Sequence, residues 1–279
     1  MILIADSGST KTEWVVIDGK EIYRFFTVGF NPFFVSSQEI SDELRKKWPS
    51  KIDKNEIYEI YFYGAGCSSE QRCQIVYHGL KTVFPQTRIQ VSHDIEAAAT
   101  GLWGDAAGIA IILGTGSNSC IYDGRKIVEN IPALGYILGD EGSGAYFGLQ
   151  LVKDFLNKEM PENLYKKFQN QFPYNREYIL DRVYKKPLPN RFLAGFAPFL
   201  TENISEVYIE NMVAEGFDLF FKRHVLPYKN YRHYQIGSVG SIGYFLADML
   251  RKTAQKYGYS EIKIMKSPLD GLIEYYQKK

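Results

Sequence analysis

The chain has 279 residues and is 45% hydrophobic, so it is long enough for two domains and can bury a large core. Its 33 Lys and Arg residues nearly balance its 32 Asp and Glu residues, which leaves a net charge of +1. The chain therefore has no excess of charge that would predict binding to nucleic acid or to a membrane surface. A small, specific ligand is the better expectation.

The N-terminal sequence MILIADSG lacks the basic segment of a secretion signal, and Asp6 interrupts its apolar run. No uninterrupted apolar stretch reaches the roughly 18 residues of a membrane span. The three cysteines, Cys67, Cys73 and Cys120, have no metal-type spacing and fit free thiols in a reducing compartment. We expect a soluble, cytoplasmic protein.

A strand, a glycine-rich loop and a second strand that ends in Asp-Gly occur twice, as ILIADSGSTKTEWVVIDGK and IAIILGTGSNSCIYDGR. Asp-Gly between apolar runs predicts a hairpin, because both central residues of a type I′ turn need positive φ. In each copy, the glycine-rich turn between the two strands can offer backbone N–H groups to phosphate. Two such loops, one per half, could hold one nucleotide between them.

Strand-like and helix-like segments alternate along the chain, which predicts an α/β fold. In the first half we expect a helix over 38–48, a strand over 57–64, a helix opened by Ser68 or Ser69, the strand RIQVSHD and the helix IEAAATGLW. The domain boundary is expected near 102–108. The second half predicts helices and loops over 143–228, a strand over 234–237, a helix over about 243–257, and a closing strand, turn and helix.

The first loop carries groups suited to a phosphate and its metal ion. Asp6 could hold the hydration shell of Mg²⁺, although a carboxylate that only bonds its own turn is an equal alternative. Gly8 permits close approach to phosphate, and the hydroxyls of Ser9, Thr10 and Thr12, with Lys11, add donors and charge. The G-x-x-x-x-G-K-[ST] pattern of a Walker loop is absent.

Three further positions are candidates for chemistry. Asp94 lies between a strand and a helix, where it could accept a proton from an attacking hydroxyl or simply cap the helix; His93 receives no role. In GYILGDEGSGAYFG, Asp140 is expected to contact a ligand and Glu141 to serve the loop or a salt bridge. IGSVGSIG is a weaker signal, equally consistent with an ordinary strand-to-helix turn.

In chain order, DSGSTKT, HDIEAAATG, LGTGSNS, LGDEGSG and IGSVGS resemble the phosphate-1, connecting, phosphate-2, sugar-side and adenosine segments of the actin-like ATPase and sugar kinase superfamily. The sequence is most similar to the N-acetylglucosamine kinase branch, grouped with the BadF/BadG/BcrA/BcrD ATPases. This resemblance implies two ribonuclease H-like domains with an interdomain cleft: residues 1–104, completed by the helix 268–279, and residues 105–267, with a helical insertion.

The resemblance also implies a role for individual residues. Asp94 would be the catalytic base, and Asp6 would serve Mg²⁺ through water. The implied sugar contacts are Asn31, Asp94, Asn118, Gly135 and Asp140. The implied ATP contacts are Gly8, Ser9, Thr10, Lys11, Thr115, Gly116, Gly237, Ser238 and Gly240, with a further nucleotide-side segment in RFLAGFAPF. The sequence departs from the family in two serines where triple glycine is common, and in SPLDGL near the C-terminus.

The implied activity is Mg-dependent transfer of phosphate from ATP to an amino sugar, with N-acetylglucosamine at its 6-hydroxyl as the first candidate and glucosamine as the second. A homodimer is compatible with the resemblance. One alternative is an ATPase activator with an iron–sulfur cluster, for which the three cysteines form no convincing ligand arrangement. Another is a catalytically silent sugar sensor; a transcriptional regulator would need a DNA-binding module, and the sequence shows neither a helix-turn-helix segment nor a basic patch.

Overall fold

The computed structural model describes residues 1–8 and 11–278, so Ser9 and Thr10, two of the predicted ATP contacts, lie outside the described residues. The chain divides into two compact units. Unit 1 comprises Met1–Ala106 together with Ser267–Lys279, and unit 2 comprises Ala107–Lys266.

The first segment of unit 1 builds one five-stranded mixed sheet. Its elements are β1 (Ile2–Ser7), β2 (Lys11–Asp18), β3 (Glu21–Val28), α1 (Ser37–Lys47), β4 (Glu59–Gly64), α2 (Glu70–Val83), β5 (Arg88–His93) and α3 (Asp94–Trp103). The strand order is β3-β2-β1-β4-β5. β1, β2 and β3 are antiparallel neighbours, whereas β4 and β5 run parallel to β1.

Unit 2 builds a second five-stranded sheet with the order β10-β9-β6-β7-β8 and carries more helix. Its elements are β6 (Gly108–Leu113), β7 (Ser117–Tyr122), β8 (Ile127–Ile131), α4 (Gly135–Leu138), α5 (Gly144–Asn157), α6 (Glu162–Gln171), α7 (Arg176–Tyr184), α8 (Pro189–Ala194), α9 (Pro198–Glu202), α10 (Val207–His224), β9 (Ile236–Val239), α11 (Ser241–Phe245), α12 (Ala247–Lys256) and β10 (Lys263–Met265). The chain then returns to unit 1 with α13 (Leu269–Gln277).

The sheet of unit 1 has a buried cluster on each face. One cluster is aromatic, and the ring centroid of Trp14 lies 5.9 Å from those of both Phe30 and Phe62. The other cluster joins Ile4 and Tyr63 to Leu272 of α13. Both faces are therefore protected from water, and the second depends on a helix made at the far end of the sequence.

The core of unit 2 is rich in phenylalanine, and two glycines set the spacing of its helices. A Cβ at Gly148 would lie 1.9 Å from the carbonyl oxygen of Leu193, so α5 and α8 touch through backbone. A Cβ at Gly216 would lie 2.3 Å from the Phe147 ring, which lets α10 lie close to α5. A side chain at either position would force the helices apart.

Most sequence-predicted elements are present, with three differences. Ser69 occupies the N-cap of α2, but its hydroxyl makes no capping hydrogen bond. The last strand before α11 begins at Ile236, because 231–233 form a turn of 3-10 helix. The single helix predicted over 243–257 is divided at Leu246 into α11 and α12. Among the described helices, none is long and apolar enough to cross a bilayer.

Candidate functional site

The parallel strands of unit 1 end at one edge of the sheet. Gly64, the last residue of β4, is in register with Ser7 of β1 and with His93 of β5. The loop after β4 is tied to β1 by a hydrogen bond from the Ala65 N–H to the Ser7 carbonyl at 2.8 Å. Because the carboxyl ends of parallel strands are where α/β folds place ligands, this edge is a candidate binding site.

Asp6 lies at this edge in a negatively charged environment. Burial, then the charge of Asp94 and then that of Glu13 raise the pKa of Asp6 to about 7. Glu13 is its register partner on β2. A divalent cation would relieve the repulsion between these carboxylates.

Mg²⁺ fits this donor set better than a metal that needs a full protein cage. The part of the chain that the structure describes has no group of three or more His, Cys, Asp or Glu side chains that could hold a metal ion. Mg²⁺ usually keeps several waters and binds through one or two carboxylates together with substrate phosphates. Asp6 can supply one such carboxylate.

Asp94 begins α3, but its neighbour takes the capping role. The His93 side chain occupies the N-cap, and its Nδ1 accepts a hydrogen bond from the Ile95 N–H at 3.4 Å. The same Nδ1 lies 2.5 Å from Asp94 Oδ1. Despite this short contact, the angles at the two atoms are not those of a hydrogen bond, so the buried Oδ1 has no hydrogen-bond donor among the described residues. The alternative of an ordinary capping aspartate does not hold for Asp94.

The pKa of His93 reflects two opposing effects. Burial, the largest single effect, lowers it, but the close contact with Asp94 and the charge of Asp94, together with the charge of Glu96, outweigh burial, so the net shift is upward. The neutral ring can accept from Ile95 through Nδ1, whereas the protonated ring that this shift favours would donate to Asp94 from the same atom. His93 was given no role from the sequence, and its adjacency to a helix start was the only signal there.

The residues around the first loop have divided roles. The Gly8 N–H donates to the Lys11 carbonyl at 3.0 Å, which closes the loop. Thr12 is fully buried, and its hydroxyl bonds Ser7 Oγ at 2.8 Å and the Val28 carbonyl at 3.0 Å. The expectation that Thr12 offers a hydroxyl to phosphate is thus wrong. Lys11 is exposed, and its Nζ lies 3.6 Å from the centroid of the Phe26 ring.

Asn31 is held against the loop that follows β4. Its side chain is buried, and its Oδ1 accepts a hydrogen bond from the Phe33 N–H at 3.0 Å. Gly66 has φ of +84°, and a Cβ there would lie 2.3 Å from Asn31 Oδ1. Gly66 is therefore required both for the turn and for the close approach of Asn31.

In unit 2, the loop between β6 and β7 is bonded to the start of α5. The Gly144 and Ala145 N–H groups donate to the carbonyls of Gly114 and Thr115 at 2.8 and 3.0 Å. The Gly114 N–H donates to the Gly116 carbonyl at 3.0 Å. This second loop is consequently fixed in a tight, preformed turn.

Asp140 lies next to the same loop. Its Oδ1 accepts from the Ser117 N–H at 3.4 Å, and a Cβ at Gly116 would lie 2.9 Å from its Oδ2. Burial raises the pKa of Asp140, while the Ser117 N–H partly offsets this. Its φ of +55° is uncommon for a residue other than glycine. Such strained, buried carboxylates cluster at functional sites.

Glu141 points away from Asp140 into an ion cluster. One of its oxygens lies 3.0 Å from Nε2 of His224, and the other accepts a hydrogen bond from Arg223. Burial acts to raise the pKa of Glu141, but hydrogen bonds from its own backbone, His224 and Arg223 lower it overall. The two adjacent acids thus have separate surroundings, and Glu141 anchors the loop to α10.

The other two sugar-side candidates of unit 2 differ in exposure. Asn118 is buried, and its Oδ1 accepts from the Ser119 N–H at 2.9 Å and from Asn130 Nδ2 at 3.0 Å. Gly135 begins α4 with φ of +78°, and a Cβ there would meet no atom within 4 Å. Asn118 is a fixed group, whereas Gly135 borders open space.

A pocket of about 390 Å³ opens beside the second loop. It is mainly apolar, and its walls come from the loop, the start of α5, the α8–α9 segment and α11. The lining residues are Gly114, Thr115, Gly144, Ala194, Ala197, Pro198, Thr201, Ser241, Ile242, Phe245 and Leu246. We call it the loop pocket.

The loop pocket includes some of the residues expected from the sequence and omits others. Thr115 is in the wall, and RFLAGFAPF contributes Ala194, Ala197 and Pro198. Gly237, Ser238 and Gly240 are not among the lining residues; the Ser238 side chain is fully buried. A Cβ at Gly240 would lie 2.4 Å from the Leu113 carbonyl oxygen, so this glycine allows β9 and β6 to approach.

The chain resembles several solved structures of other proteins. A proposed N-acetylglucosamine kinase from Porphyromonas gingivalis, a solved structure, is 40% identical, with 100% of this chain and 99% of that chain covered and a TM-score of 0.95. The chain belongs to the N-acetylglucosamine kinase-like family. No protein-family model and no curated protein matched the sequence.

Two more distant structures share the fold of this family. A proposed N-acetylglucosamine kinase from Chromobacterium violaceum is 15% identical, with 98% of each chain covered and a TM-score of 0.71. A ROK family glucokinase from Streptomyces griseus, in complex with glucose and AMPPNP, is 17% identical, with 98% of this chain and 97% of that chain covered and a TM-score of 0.54. The two-sheet architecture is thus that of actin-like ATPases and sugar kinases.

Sequence reasoning missed part of the loop pocket in this family member. Thr201 of α9, Phe245 of α11 and Leu246 just after it were not identified, and Ser241 and Ile242 lay inside the IGSVGSIG segment without an assigned contact. The usable signal was IGSVGSIGYF, in which a strand passes through glycine into a helix and places the first helical turn beside the loop.

The cysteines do not match the iron–sulfur alternative within this family. Cys67 belongs to unit 1 and Cys120 to β7 of unit 2, and both are buried and outside any disulfide. Burial raises the pKa of Cys67 to about 12, so its thiolate form is disfavoured. These properties are those of core cysteines rather than of cluster ligands.

Proposed function

We propose that the protein is an ATP-dependent kinase of an amino sugar, with N-acetylglucosamine as substrate and its 6-hydroxyl as acceptor. The observation that carries the proposal is Asp94: a partly buried carboxylate at the carboxyl edge of the unit 1 sheet, relieved of capping by His93 and set beside Asp6. The 40% identity to a proposed N-acetylglucosamine kinase over the whole chain supports the substrate class.

The nucleotide is assigned to two loops and a pocket. The loop pocket would take the adenosine, and Gly237 and Ser238 of β9, with Gly240 just after it, would border the adenosine. Thr115 and Gly116 would contact phosphate, as would Gly8, Ser9, Thr10 and Lys11 in unit 1. The glucokinase of the same fold that binds AMPPNP supports the use of ATP.

Sugar binding is assigned to four polar residues and one glycine near these loops. Asn31 and Asp94 in unit 1, and Asn118, Gly135 and Asp140 in unit 2, would supply hydrogen bonds to the sugar. The exposed aromatic side chains of Phe33 and Phe34 come two and three residues after Asn31, where they could contact the substituent at the sugar's second carbon. An acetyl group adds apolar surface, so these rings favour N-acetylglucosamine over glucosamine.

In the proposed reaction, the Asp94 carboxylate accepts the proton from the sugar hydroxyl as that oxygen attacks the terminal phosphorus of ATP, whose bond to the bridging oxygen breaks to release ADP. Asp6 would hold Mg²⁺ through water, and there the ion would supply positive charge to the transferred phosphoryl group. The backbone N–H groups of the loops orient the phosphate oxygens. Catalysis thus rests on positioning and charge rather than on a covalent intermediate.

The proposal is tested by measuring ADP release with Mg-ATP and one acceptor at a time: N-acetylglucosamine, glucosamine, N-acetylmannosamine, glucose or no sugar. We expect N-acetylglucosamine to stimulate release most, and phosphorus NMR of the product to place the phosphate on the 6-oxygen. Greatest stimulation by glucosamine would correct the substrate. Release that is absent or independent of sugar would refute the kinase proposal.

A further inference from the structure

A second pocket, of about 420 Å³, lies in the helical part of unit 2. It is formed by α7, α8 and the segment before α7. We call it the arginine pocket and define it by Phe172, Tyr174, Arg182, Arg191, Phe192 and Phe196. It has no lining residue in common with the loop pocket, although Arg191, Phe192 and Phe196 belong to the same RFLAGFAPF segment that also contributes to the loop pocket.

The apolar wall of the arginine pocket is a set of packed aromatic rings. Ring centroids lie 4.8 Å apart for Phe172 and Phe196, and 5.2 Å apart for Phe192 and Phe196. Tyr174 also contacts both Phe192 and Phe196. Because each ring is held by others, the wall presents preformed flat surfaces.

The charge of the arginine pocket is positive and uncompensated. No acidic residue lines it, and neither Arg182 nor Arg191 forms an ion pair or a guanidinium hydrogen bond with any described residue. Nε of Arg182 is buried without a hydrogen-bond partner, while its Cζ lies 5.2 Å from the Phe192 ring centroid. Both guanidinium groups thus lack an acceptor among the described residues, and a ligand in the pocket could supply one to their outer N–H groups.

The chemistry of the lining defines the missing acceptor. A guanidinium group presents a planar fork of donors that matches phosphate or carboxylate oxygens. The adjacent rings match a flat or apolar group attached to that anion. We propose that the arginine pocket binds a small molecule in which an anionic group is joined to a ring.

The proposal is tested by isothermal titration of the full chain with phenyl phosphate, inorganic phosphate and phenol, with and without Mg-ADP. The variants are Arg182→Met and Arg191→Met, and the matched control is Arg176→Met, which removes an exposed arginine from the same helix as Arg182. Arg182 is partly buried, so Arg182→Met could also affect folding. Arg191 is exposed, so Arg191→Met should leave the core intact and tests the pocket independently.

We expect phenyl phosphate to bind the wild type more tightly than either fragment, because it satisfies both the arginines and the rings. Arg191→Met and Arg182→Met should weaken it by about tenfold or more, a loss of one charge-assisted contact. Arg176→Met should bind like the wild type. Absence of phenyl phosphate binding, equal affinity for inorganic phosphate, or binding unaffected by both pocket variants would overturn the proposal. If Mg-ADP displaces phenyl phosphate and neither arginine substitution weakens its binding, phenyl phosphate binds in the loop pocket, which would also overturn the proposal.

Discussion

Asp94 and His93 are adjacent but perform different tasks at the start of α3. The imidazole occupies the N-cap, which leaves the carboxylate available at the sheet edge. A substitution at Asp94 should therefore change chemistry more than folding.

Asp94→Asn should lower the rate of sugar phosphorylation by about 10²-fold to 10⁴-fold, the usual contribution of a general base. Binding of AMPPNP, measured by titration calorimetry, should change little because the amide keeps the shape of the side chain. Glu96→Gln, two residues further along the same helix, is the matched control and should retain most activity. Near-normal turnover of Asp94→Asn would remove Asp94 from the role of base.

Glu141 stabilises unit 2 through charges that depend on pH. Its pKa is lowered on folding from the ordinary value of 4.5 by hydrogen bonds that outweigh burial. A group with a lowered folded pKa contributes stability above its unfolded pKa, and the contribution is lost as pH falls through the folded pKa. The effect should thus be complete near neutral pH and decline below about 4.5.

Glu141→Gln should destabilise the protein at pH 7 by about 1–3 kcal/mol, because the buried His224 and the more exposed Arg223 lose a charged acceptor. The difference from the wild type should shrink as urea denaturation is repeated at pH 5, 4 and 3.5. Glu162→Gln removes an exposed carboxylate that pairs with Lys166 and should cost well under 1 kcal/mol. A pH-independent difference at Glu141 would indicate a loss of packing instead.

At the scale of elements, α5 and α8 are joined by backbone contact at Gly148. Two effects oppose each other in Gly148→Ala. Alanine favours a helix by about 1 kcal/mol relative to glycine, but its Cβ would lie 1.9 Å from the Leu193 carbonyl oxygen, far inside contact distance. The clash with rigid backbone should dominate.

Gly148→Ala should therefore destabilise the chain by about 1–3 kcal/mol or more, as overpacked cores do. It should also weaken AMPPNP binding, because α8 carries Ala194 of the loop pocket. Thermal unfolding with and without AMPPNP measures both effects. Lys153→Ala, at an exposed position of α5, is the control and should leave both unchanged. A stabilised Gly148→Ala would mean that α8 moves aside at little cost.

The sequence predicted local structure well where one short-range signal decides it. Asp18-Gly19 does close a hairpin between β2 and β3, with Gly19 at φ of +57°. Local signals fail where the outcome depends on distant partners. Thr12 looks like a phosphate ligand beside Lys11, yet β3 supplies the Val28 carbonyl that buries its hydroxyl. The break at Leu246 carries no proline or glycine of its own and reflects packing of its buried side chain in unit 2.

The candidate site shows the same division. Asp94 and Asp140 could be found because each adjoins a strand end or a glycine-rich turn. The walls of the loop pocket come from α5, α8, α9 and α11, which are separated in sequence by up to about a hundred residues. A pattern within one segment of sequence does not predict that these helices pack together. Their contacts depend on glycines such as Gly148, where the backbone of a second helix occupies the space of a side chain.

At the scale of the whole molecule, unit 1 is discontinuous in sequence. Leu269 and Leu272 of α13 are fully buried against β1 and β2, and the Tyr63 and Tyr276 hydroxyls lie 2.6 Å apart. The helix also packs on α3, where a Cβ at Gly271 would lie 1.9 Å from the Gly101 carbonyl oxygen. α13 is thus an integral part of unit 1.

Leu272→Ala should cost about 2–5 kcal/mol, as buried leucine truncations do. Hydrogen exchange should show faster exchange in β1, β2 and α3, with unit 2 protected as before. Leu164→Ala, equally buried in unit 2, is the matched control and should give the opposite distribution. Faster exchange spread evenly through both units after Leu272→Ala would show that they unfold together.

The position of α13 in the sequence also has a consequence during synthesis. A ribosome makes residues 1–106, then all of unit 2, and only afterwards the helix that covers one face of the first sheet. One apolar face of the first sheet, which includes Ile4, Val15 and Tyr63, therefore remains exposed while the ribosome adds the 160 residues from Ala107 to Lys266. Unit 2 is contiguous and can complete its core first, so the nascent N-terminal sheet is the part of this protein most in need of a chaperone.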